Sequence, residues 1–404
     1  MSENNEIKEP LNKNFREPKL RFREFKDEWN SIFLKDLVSI HARIGWQGLR
    51  QEEFLNEGDY YLITGTDFKN GRINLKEIKY ISKFRYEQDK NIQVTNDDIL
   101  ITKDGSIGKV ALVKDMNKSA TLNAGVYRIR PLKNNVISAY LFQYLSAPFL
   151  LNFALKQSSG GTIKHLNQSQ IIKFKIPLPS TNEQNKISRF LNLIDNKIET
   201  LEAKISTLKK YKEGVFLDTR KCSKKIALKN ILSAVNIKTK YNNQYEILSS
   251  TAIGLFSQKE YFKHQVASEN NVGYKVIKKG QLLFSPQNLW LGNINLNNDF
   301  EIGMVSPSYK IYDIDNSINS SWLISMLKSQ NMLYKYKQIS EQGASVVRRN
   351  LDLSQFLEIT IDIPDNQIQI GITLETIDKK ISALSNLFMN LKKLKMHLLK
   401  EMFI

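Results

Sequence analysis

Three residues in the first third of the chain have the types and the order of a nuclease metal site. Asp67 follows an apolar segment, and Glu77 and Lys79 come shortly after it. An Asp followed by Glu-x-Lys holds a divalent cation and activates water in many nucleases. However, the stretch KNGR between them is typical of a hairpin turn, and alternation along INLKEIKY places Glu77 and Lys79 on one solvated face. The second half of the chain has no equivalent, so a nuclease centre is only an alternative.

Other catalytic signatures are missing from the sequence. Methyl transfer to a flipped base would call for a Pro-Pro-aromatic loop, and the chain has no Pro-Pro pair. The glycines of GSIGKV do not match the phosphate-binding spacing GxxxxGK[ST]. The four histidines are far apart in sequence, and Cys222 is the single cysteine, so a zinc site is not expected. We therefore expect no catalytic residue, no metal and no cofactor in this chain.

The charge of the chain favours a polyanionic partner. Lys and Arg outnumber Asp and Glu by 59 to 41, which gives a net charge of +18 at pH 7. Nucleic acid is the first such partner to consider, although an AT-rich genome also favours lysine. The first residues, MSENNEIKEP, lack an export signal, and no window approaches about 18 uninterrupted apolar residues. With one cysteine there is no internal disulfide, and we expect a cytoplasmic protein outside the membrane.

The elements that would position a site occur twice in the sequence. The two halves align at an offset of 182 to 185 residues, which indicates internal duplication. VTNDDILITKDGSIGKVALV and VIKKGQLLFSPQNLWLGNINL each predict a strand, a loop that contains glycine and a second strand. Each copy is therefore expected to form an α+β domain.

Each copy ends in a long amphipathic helix. The predicted order is a flexible N-terminal tail (1–18), a first domain (19–180), a long helix (181–217), a second domain (218–365) and a second long helix (366–404). Apolar residues in both helices recur at intervals of three and four, as in the seam of a coiled coil. The predicted seam comprises Ile187, Leu191, Ile194, Ile198, Leu201, Ile205, Leu208, Ile370, Leu374, Ile377, Ile381, Leu384, Phe388 and Leu391.

Lys212 and Lys395 interrupt this stripe at matching positions. A polar residue in a seam can fix the register of a helix pair, and it can equally mark an exposed helix end. We expect the two helices to pair within one chain, with separate docking or dimerisation between chains as alternatives. The heptads alone do not choose between parallel and antiparallel pairing.

Divergent polar loops make the two domains candidates for reading different DNA sequences. Base edges are recognised by polar and charged side chains on segments that enter a groove, and helices of about 50 Å could hold two such domains over neighbouring grooves. The expected target is therefore bipartite and asymmetric. The candidate DNA contacts are Arg43, Trp46, Gln47, Thr64, Thr66, Lys103, Asp104, Ser106, Lys109, Thr162, Lys164 and His165 in the first domain and Ser249, Ser250, Gln287, Asn288, Trp290, Asn293, Ser345, Arg348 and Arg349 in the second.

From Pro18 onward the chain resembles the specificity subunits of type I restriction–modification systems. The resemblance is carried by PKLRFREFKDEW, by DDILITKDGSIGKVALV and by the junction IPLPSTNEQNKISRFLNLIDNKIETL. The family motif at this junction corresponds here to Pro177, Pro179, Glu183, Gln184, Ile194 and Asp195. At the second junction Pro364, Ile377 and Asp378 remain, but Ile368 and Gln369 stand where Glu-Gln is expected.

The resemblance implies an α+β fold with two similar target-recognition domains, separated by two long helices that form an antiparallel intramolecular coiled coil with pseudo-two-fold symmetry. It also implies double-stranded DNA, two methyltransferase subunits and optionally two restriction subunits as partners. S-adenosylmethionine, ATP and Mg²⁺ would then belong to those partners. The alternatives are an enzyme with its own nuclease centre and a DNA-binding regulator that dimerises through a coiled coil.

Overall fold

The computed structural model of the chain describes residues 17–132, 135–157, 165–217, 222–261, 270–343 and 348–403. The chain divides into two compact units. Unit 1 contains the residues up to Glu202 and those from Leu387 onward, and unit 2 is Ala203–Asn386. The division cuts through both long helices, so each unit contains a part of each helix. Of the predicted N-terminal tail, residues 1–16 lie outside the described part.

In the region before Glu202, the described residues of unit 1 form twelve short strands, five short α-helices and part of the first long helix. These are β1 (Asn30–Phe33), α1 (Leu34–Leu37), β2 (Val38–Ala42), β3 (Tyr60–Ile63), β4 (Phe68–Lys69), β5 (Arg72–Ile73), β6 (Lys79–Ile81), α2 (Lys83–Glu87), β7 (Gln93–Val94), β8 (Ile99–Thr102), β9 (Val110–Leu112), β10 (Ser119–Leu122), β11 (Val126–Pro131), α3 (Ser138–Ser146), α4 (Phe149–Gln157), α5 (Gln168–Ile171), β12 (Lys175–Leu178) and α6 (Thr181–Leu217).

Two four-stranded sheets form the body of unit 1. One has the strand order β2-β11-β8-β9 and is antiparallel throughout, and the other has the order β6-β3-β10-β7, with β3 and β10 parallel. Strand β1 pairs with β12, which brings the start of the unit to the strand that leads into α6. Successive side chains of β8 point to opposite faces of its sheet, and apolar side chains are buried on both faces, as Ile99 and Leu100 show. This burial accounts for the uninterrupted apolar run in the sequence.

Unit 2 has a similar but not identical order of elements. The elements are β13 (Cys222–Ala227), β14 (Leu232–Val235), β15 (Leu248–Ser250), β16 (Leu255–Ser257), α7 (Gln258–Tyr261), β17 (Lys275–Lys278), β18 (Leu282–Phe284), β19 (Ile294–Leu296), β20 (Ile302–Val305), β21 (Lys310–Ile314), α8 (Ser320–Leu327), α9 (Gln330–Gln338), β22 (Ser340–Gln342), β23 (Arg349–Leu351), α10 (Leu353–Glu358), β24 (Thr360–Pro364) and α11 (Gln367–Glu401).

The main sheet of unit 2 has the order β14-β21-β18-β19, which corresponds strand for strand to β2-β11-β8-β9 of unit 1. The pair β13-β24 likewise corresponds to β1-β12. The remaining strands form the two-stranded pairs β15-β16, β17-β20 and β22-β23. The duplication read from the sequence is therefore a duplication of topology.

The predicted strand–loop–strand segments are confirmed in both units. β8 and β9 pair antiparallel in unit 1, and β18 and β19 do so in unit 2. In each loop the glycine close to the second strand has a left-handed backbone, with φ of 78° at Gly108 and 86° at Gly292. At Gly108 a Cβ atom would also lie 2.3 Å from Leu151. The loop needs glycine there for two reasons, backbone conformation and close approach.

The long helices run antiparallel. Unit 1 combines the N-terminal part of α6 with the C-terminal part of α11, and unit 2 combines the C-terminal part of α6 with the N-terminal part of α11. In unit 1 Leu191 shares a core with Leu398, and in unit 2 Val215 packs on the core that contains Leu374. The beginning of each helix therefore meets the end of the other.

The described residues include no helix that is both long enough and apolar enough to span a membrane.

Candidate DNA interface and spacer helices

Four segments of unit 1 lie together beside the ends of its sheets. They are the turn 64–67 after β3, residues 103–108 of the loop between β8 and β9, the connection 123–125 between β10 and β11, and the segment 165–167. Backbone hydrogen bonds tie them to one another: Asn123 N donates to Ile63 O at 2.9 Å, Lys103 N to Gly125 O at 2.9 Å, and Leu166 N to Lys103 O at 3.0 Å. We call these segments the unit 1 loop cluster.

The unit 1 loop cluster carries polar side chains at its surface. Asp104 and His165, which are about 60 residues apart in sequence, meet at 2.7 Å between Oδ1 and Nδ1. The hydroxyls of Thr64 and Thr66 are 2.7 Å apart, and the ammonium of Lys103 lies 5.5 Å from the centre of the Tyr127 ring. Ser106 is exposed. The structure thus brings six of the twelve candidates in the first domain into one cluster: Thr64, Thr66, Lys103, Asp104, Ser106 and His165.

Two candidates of the first domain are buried and need correction. The guanidinium of Arg43 is 2% exposed and donates through Nε to Leu122 O at 2.9 Å. Gln47 is also buried, and its carbonyl oxygen accepts from Arg43 Nη1 at 3.4 Å. Burial lowers the pKa of Arg43. Both side chains therefore point into unit 1, where the guanidinium of Arg43 finds the several acceptors that it needs when buried.

The other four candidates of the first domain are placed differently. Lys109 is exposed and lines a cleft of about 470 Å³ together with Asp195 and Glu199 of α6. The side chain of Trp46 lies outside the described part of the structure, as do Thr162 and Lys164. These candidates stay predictions.

The residues of the alternative nuclease centre have separate local roles. Asp67 accepts from the backbone nitrogen of Thr64 at 2.7 Å and from its hydroxyl at 2.8 Å, and so closes the turn 64–67. Burial raises the pKa of Asp67, and the hydrogen bonds from Thr64 oppose that shift. Lys79 donates to Asn56 Oδ1 at 2.7 Å, and Glu77 is exposed. Within the described ranges, no group of three or more His, Cys, Asp or Glu side chains could hold a metal ion.

The hairpin predicted at KNGR is present. β4 and β5 pair antiparallel, and the two turn residues Asn70 and Gly71 have φ of 49° and 77°. Two consecutive left-handed residues are the conformation that an Asn-Gly hairpin turn requires.

Unit 2 has a corresponding loop cluster that is tied in the same way. Its members are the turn 251–254, the loop 285–293 between β18 and β19, and the hairpin of β22 and β23. Arg349 N donates to Gln287 O at 3.1 Å, as Leu166 N does to Lys103 O in unit 1. Gln287 and Arg348 are exposed, and Asn288 is half-buried. The half-buried Trp290 ring lies 5.9 Å from the cationic centres of both Lys337 and Arg349.

Three candidates of the second domain have side chains that bond within the unit. Ser250 and Asn293 are buried and bond to each other, with 2.6 Å from Ser250 Oγ to Asn293 Oδ1 and 3.0 Å from Asn293 Nδ2 to Ser250 O. The guanidinium of Arg349 donates to Ser340 Oγ at 2.8 Å and to the carbonyl oxygens of Ser340 and Lys337. These side chains hold the loops in place and use their donors inside the unit.

Ser249 and Ser345 complete the candidates of the second domain. Ser249 is half-buried, and its hydroxyl accepts from Gln258 Nε2 at 3.0 Å. Ser345 lies outside the described residues.

Two residues of this network were not anticipated from the sequence. Asn295 donates to Ser250 Oγ at 2.7 Å and to Thr251 O at 2.8 Å, and Lys328 donates to Asn295 Oδ1 at 2.7 Å. Burial, followed by the nearby charge of Lys212, lowers the pKa of Lys328 to about 8, and Asp378 opposes this shift. The alternation of Asn and apolar residues along GNINLN indicates an inward polar face of β19. That pattern could have identified Asn295, whereas Lys328 carries no such signal.

The fourteen residues of the predicted seam are all buried or half-buried. The seven with the lowest exposure are Ile187, Leu191, Ile198, Leu201, Ile370, Leu374 and Ile377. The two lysines that interrupt the stripe each form an ion pair with an aspartate of the other helix. Lys212 Nζ lies 2.6 Å from Asp378 Oδ1 within unit 2, and Lys395 pairs with Asp195 within unit 1.

Comparison with known proteins agrees with this architecture. Residues 26–210 match the family model described as a type I restriction modification DNA specificity domain. The chain is similar to type I specificity subunits over this region. It is 24% identical over 180 residues to the EcoBI specificity subunit of Escherichia coli, and the match covers 45% of this chain and 38% of that protein. It is 28% identical over 196 residues to the MjaVIII specificity subunit of Methanocaldococcus jannaschii, with 47% and 43% covered.

The sequence matches span less than half of the length of these two relatives. Likeness of fold extends much further. The S subunit of a type I restriction-modification system from M. genitalium superposes with a TM-score of 0.63 at 17% identity, covering 96% of this chain and 99% of that one. The likeness of fold therefore includes unit 2 as well as the region matched in sequence.

The glutamine at each junction has a clear structural role. The side chain of Gln184 is fully buried; it accepts from the backbone nitrogen of Ile137, before α3, at 2.9 Å and donates to Asn135 O at 2.9 Å. In unit 2 Gln367 accepts from Asn319 N at 2.9 Å and donates to Ser317 O at 2.8 Å. Gln367 is therefore the counterpart of Gln184. The prediction that Ile368 and Gln369 stand at the Glu-Gln positions was therefore wrong, because the glutamine that matches Gln184 lies two residues earlier. Ile368 is exposed.

Proposed function

We propose that this chain is the DNA-specificity subunit of a type I restriction–modification complex and reads a bipartite, asymmetric target, with one unit for each half. It would assemble with two methyltransferase subunits and optionally with restriction subunits, which would supply the chemistry with S-adenosylmethionine, ATP and Mg²⁺. The chain itself would be non-catalytic. The observation that carries the proposal is the repetition of one sheet order in two units, each with a polar loop cluster at the same place in its topology.

The two loop clusters have the chemistry that base recognition needs. Side chains of unit 1 such as Asp104 and Ser106 offer an acceptor and a hydroxyl, and Lys103 offers a cation. Unit 2 offers the amide of Gln287 at the corresponding loop. Amides pair with adenine and carboxylates accept from cytosine in the major groove. Because the surface groups differ between the clusters, the two halves of the target should differ as well.

The long helices fit the role of a spacer. α6 has 37 residues and α11 has 35, so each is roughly 50 Å long at about 1.5 Å per residue. Positions read on one face of B-DNA recur about every 34 Å. The net charge of +18 favours contacts of Lys and Arg side chains with DNA phosphates. Because salt competes with such contacts, binding should weaken steeply as the salt concentration rises.

The alternative of a regulator that dimerises through a coiled coil has less support. In each unit α6 and α11 of the same chain pack together, and their apolar stripes are covered without a second copy. Light scattering of the full chain should therefore give the mass of a monomer.

Selection from a randomised DNA pool tests the proposal. The full chain, with any subunits that copurify from its host, is incubated with random duplexes, and the bound fraction is sequenced. We expect two separated, unlike half-sites. Asp104→Ala should change one half, Gln287→Ala should change the other, and each should leave the remaining half intact. The exposed helix variant Lys379→Ala serves as control and should change neither.

Two results would contradict the proposal. One is that the wild-type chain enriches no sequence, and the other is that each loop variant alters both halves together. Either result would show that the two units do not read DNA independently.

A further inference from the structure

The crossed ion pairs between the long helices have matched positions. Lys212 of α6 donates to both carboxylate oxygens of Asp378 at 2.6 and 2.7 Å within unit 2. Lys395 of α11 donates to Asp195 of α6 within unit 1. In each case the aspartate lies towards the beginning of one helix and the lysine towards the end of the other. Both lysines occupy positions of the heptad where an apolar residue would continue the seam.

The pair in unit 1 is the more deeply packed. The side chains of Lys395 and Asp195 are 15% and 22% exposed, whereas those of Lys212 and Asp378 are 30% and 51% exposed. Gln143 of α3 donates to Asp195 Oδ2 at 2.8 Å, and Gln143 is itself fully buried. The carboxylate of Asp195 is therefore held from the domain side as well as from α11.

The spacing of these charges distinguishes the two possible helix orientations. Asp378 follows Asp195 by 183 residues, and Lys395 follows Lys212 by the same 183 residues. Parallel pairing of the equivalent heptads would therefore bring Asp195 against Asp378 and Lys212 against Lys395. Like charges at a helix interface repel, and opposite charges attract. Only the antiparallel arrangement gives two attractive pairs.

The same charges also distinguish between registers. The apolar residues repeat every seven positions, so a slip by one heptad, about 10 Å at about 1.5 Å per residue, would still match leucine and isoleucine along the seam. Such a slip would move Lys212 away from Asp378 and opposite the region of Gly371 or Ser385, which carry no charge. The apolar stripe thus fits more than one alignment, whereas the observed register forms both ion pairs.

We propose that the pairs Lys212–Asp378 and Lys395–Asp195 select the antiparallel orientation and fix the register of the two long helices. These four residues are positioning residues that act on the helices and not on DNA. If the proposed DNA-reading function also holds, they set the separation of the two half-sites. The helix alignment itself does not depend on that function.

A distance measurement within unit 2 tests this proposal without DNA. In a Cys222→Ser background, spin labels are attached through Lys210→Cys and Lys380→Cys, at two exposed helix positions, and their separation is measured by pulsed electron resonance. We expect one narrow, short distance. In a parallel pair the labels would be roughly 20 Å further apart along the axis, from 13 residues at about 1.5 Å each.

Charge reversal and charge swap then isolate the role of the pairs. Asp195→Lys with Asp378→Lys should broaden the distance distribution and lower the midpoint of thermal unfolding by several degrees. Adding Lys212→Asp and Lys395→Asp restores opposite charges in swapped positions and should return a narrow, short distance. Rescue by the swap is a result that a merely structural role of these side chains would not give.

The in-helix pair Glu375–Lys379 provides a matched control. It lies on α11, has a 2.6 Å separation and is largely exposed, so Glu375→Lys makes the same charge change without touching the partner helix. This variant should keep the narrow distance. A distance that stays narrow after reversal of both cross-helix pairs, or a swap that fails to restore it, would overturn the proposal. If the label distance stays short and narrow but the chain selects no DNA sequence, the result would count against the proposed function alone.

Discussion

The two places where a domain strand leads into a long helix differ in one instructive respect. In both, the side chain of a buried glutamine, Gln184 or Gln367, accepts from the backbone nitrogen just before a shorter helix, α3 or α8. Only unit 1 has an acid beside it, Glu183, which accepts from Arg21 Nε at 2.8 Å and from Trp29 Nε1 at 3.1 Å. The glutamine thus serves the fold common to both units, whereas the glutamate serves the N-terminal segment that unit 2 lacks.

A second difference lies where the long helix passes the N-cap residue of the shorter helix, α8 in unit 2 and α3 in unit 1. In unit 2 the helix α11 has Gly371 where a Cβ atom would lie 1.8 Å from Asn319 Oδ1, and Asn319 caps α8 by accepting from Trp322 N at 2.9 Å. In unit 1 the equivalent positions are Ser188 and Ile137, and Ile137 makes no side-chain cap. The position on the long helix therefore has a side chain in unit 1, where the N-cap residue makes no side-chain cap, and has none in unit 2, where Asn319 caps α8.

Removal of the acid at the first junction should have the largest effect. Glu183→Ala removes the carboxylate that pairs with Arg21 and accepts from the indole of Trp29, in a site where the ion-pair side chains are 12% and 1% exposed. Loss of one partner of a buried pair costs about 3 kcal/mol or more. Denaturant unfolding followed by tryptophan fluorescence should show this loss.

The equivalent change in unit 2 is the control. The residue that precedes Gln367 is Asn366, which is exposed, and Asn366→Ala should change the free energy of unfolding by less than about 0.5 kcal/mol. Equal losses for the two variants would mean that Glu183 has no special role in holding the N-terminal segment.

Addition of one methyl group at the second junction should have an intermediate effect. Gly371→Ala forces the side chain of Asn319 out of its capping position, and a lost cap together with local overpacking costs about 2 kcal/mol. Thermal unfolding should report the loss. In the double variant Gly371→Ala with Asn319→Ala the clash is absent, so its total cost should be smaller than the sum of the single costs. Strict additivity would indicate that the two residues do not compete for the same space.

Local periodicity explains which parts of the molecule were predictable. The long helices and the strand pairs β8-β9 and β18-β19 follow from apolar spacing and from glycines that allow left-handed turns. In these cases the pattern that predicts the structure lies within one segment of the sequence or appears when two segments are compared. The sequence leaves the orientation of the two helices open, and antiparallel pairing was implied only by the family resemblance.

The direction in which a loop side chain points was not predictable in the same way. Arg43 and Asn293 are polar residues in glycine-rich loops, and both turn inward because backbone carbonyls or another buried side chain lie behind them. Those partners come from segments remote in sequence, such as Leu122 and Ser250. Exposed members of the loop clusters, such as Ser106 and Gln287, have the same local sequence character, so only the packed structure separates the two classes.

A final difference between the units predicts a small effect of pH. Lys328 follows α8 at the position where Ser146 ends α3, and its pKa is lowered to about 8 because it is buried near Lys212. A lysine has a pKa of about 10.4 when unfolded. Between these values the unfolded chain binds more protons at this residue than the folded chain, so stability should rise as the pH increases from 8 towards 10. Below pH 8 both states are protonated and this contribution is constant.

Comparison with Lys328→Met isolates that contribution. The methionine variant cannot titrate at this position, and the other lysines titrate alike in both proteins. The difference in free energy of unfolding, wild type minus variant, should therefore increase by about 1 to 2 kcal/mol between pH 7 and pH 10, which is less than the pKa difference alone would give because solvent partly screens the site. Ser146→Met in unit 1 removes no titrating group and should give a flat difference. A flat difference for Lys328→Met as well would show that the ammonium of Lys328 is solvated in the folded protein, and the buried network around Asn295 would then not depend on it.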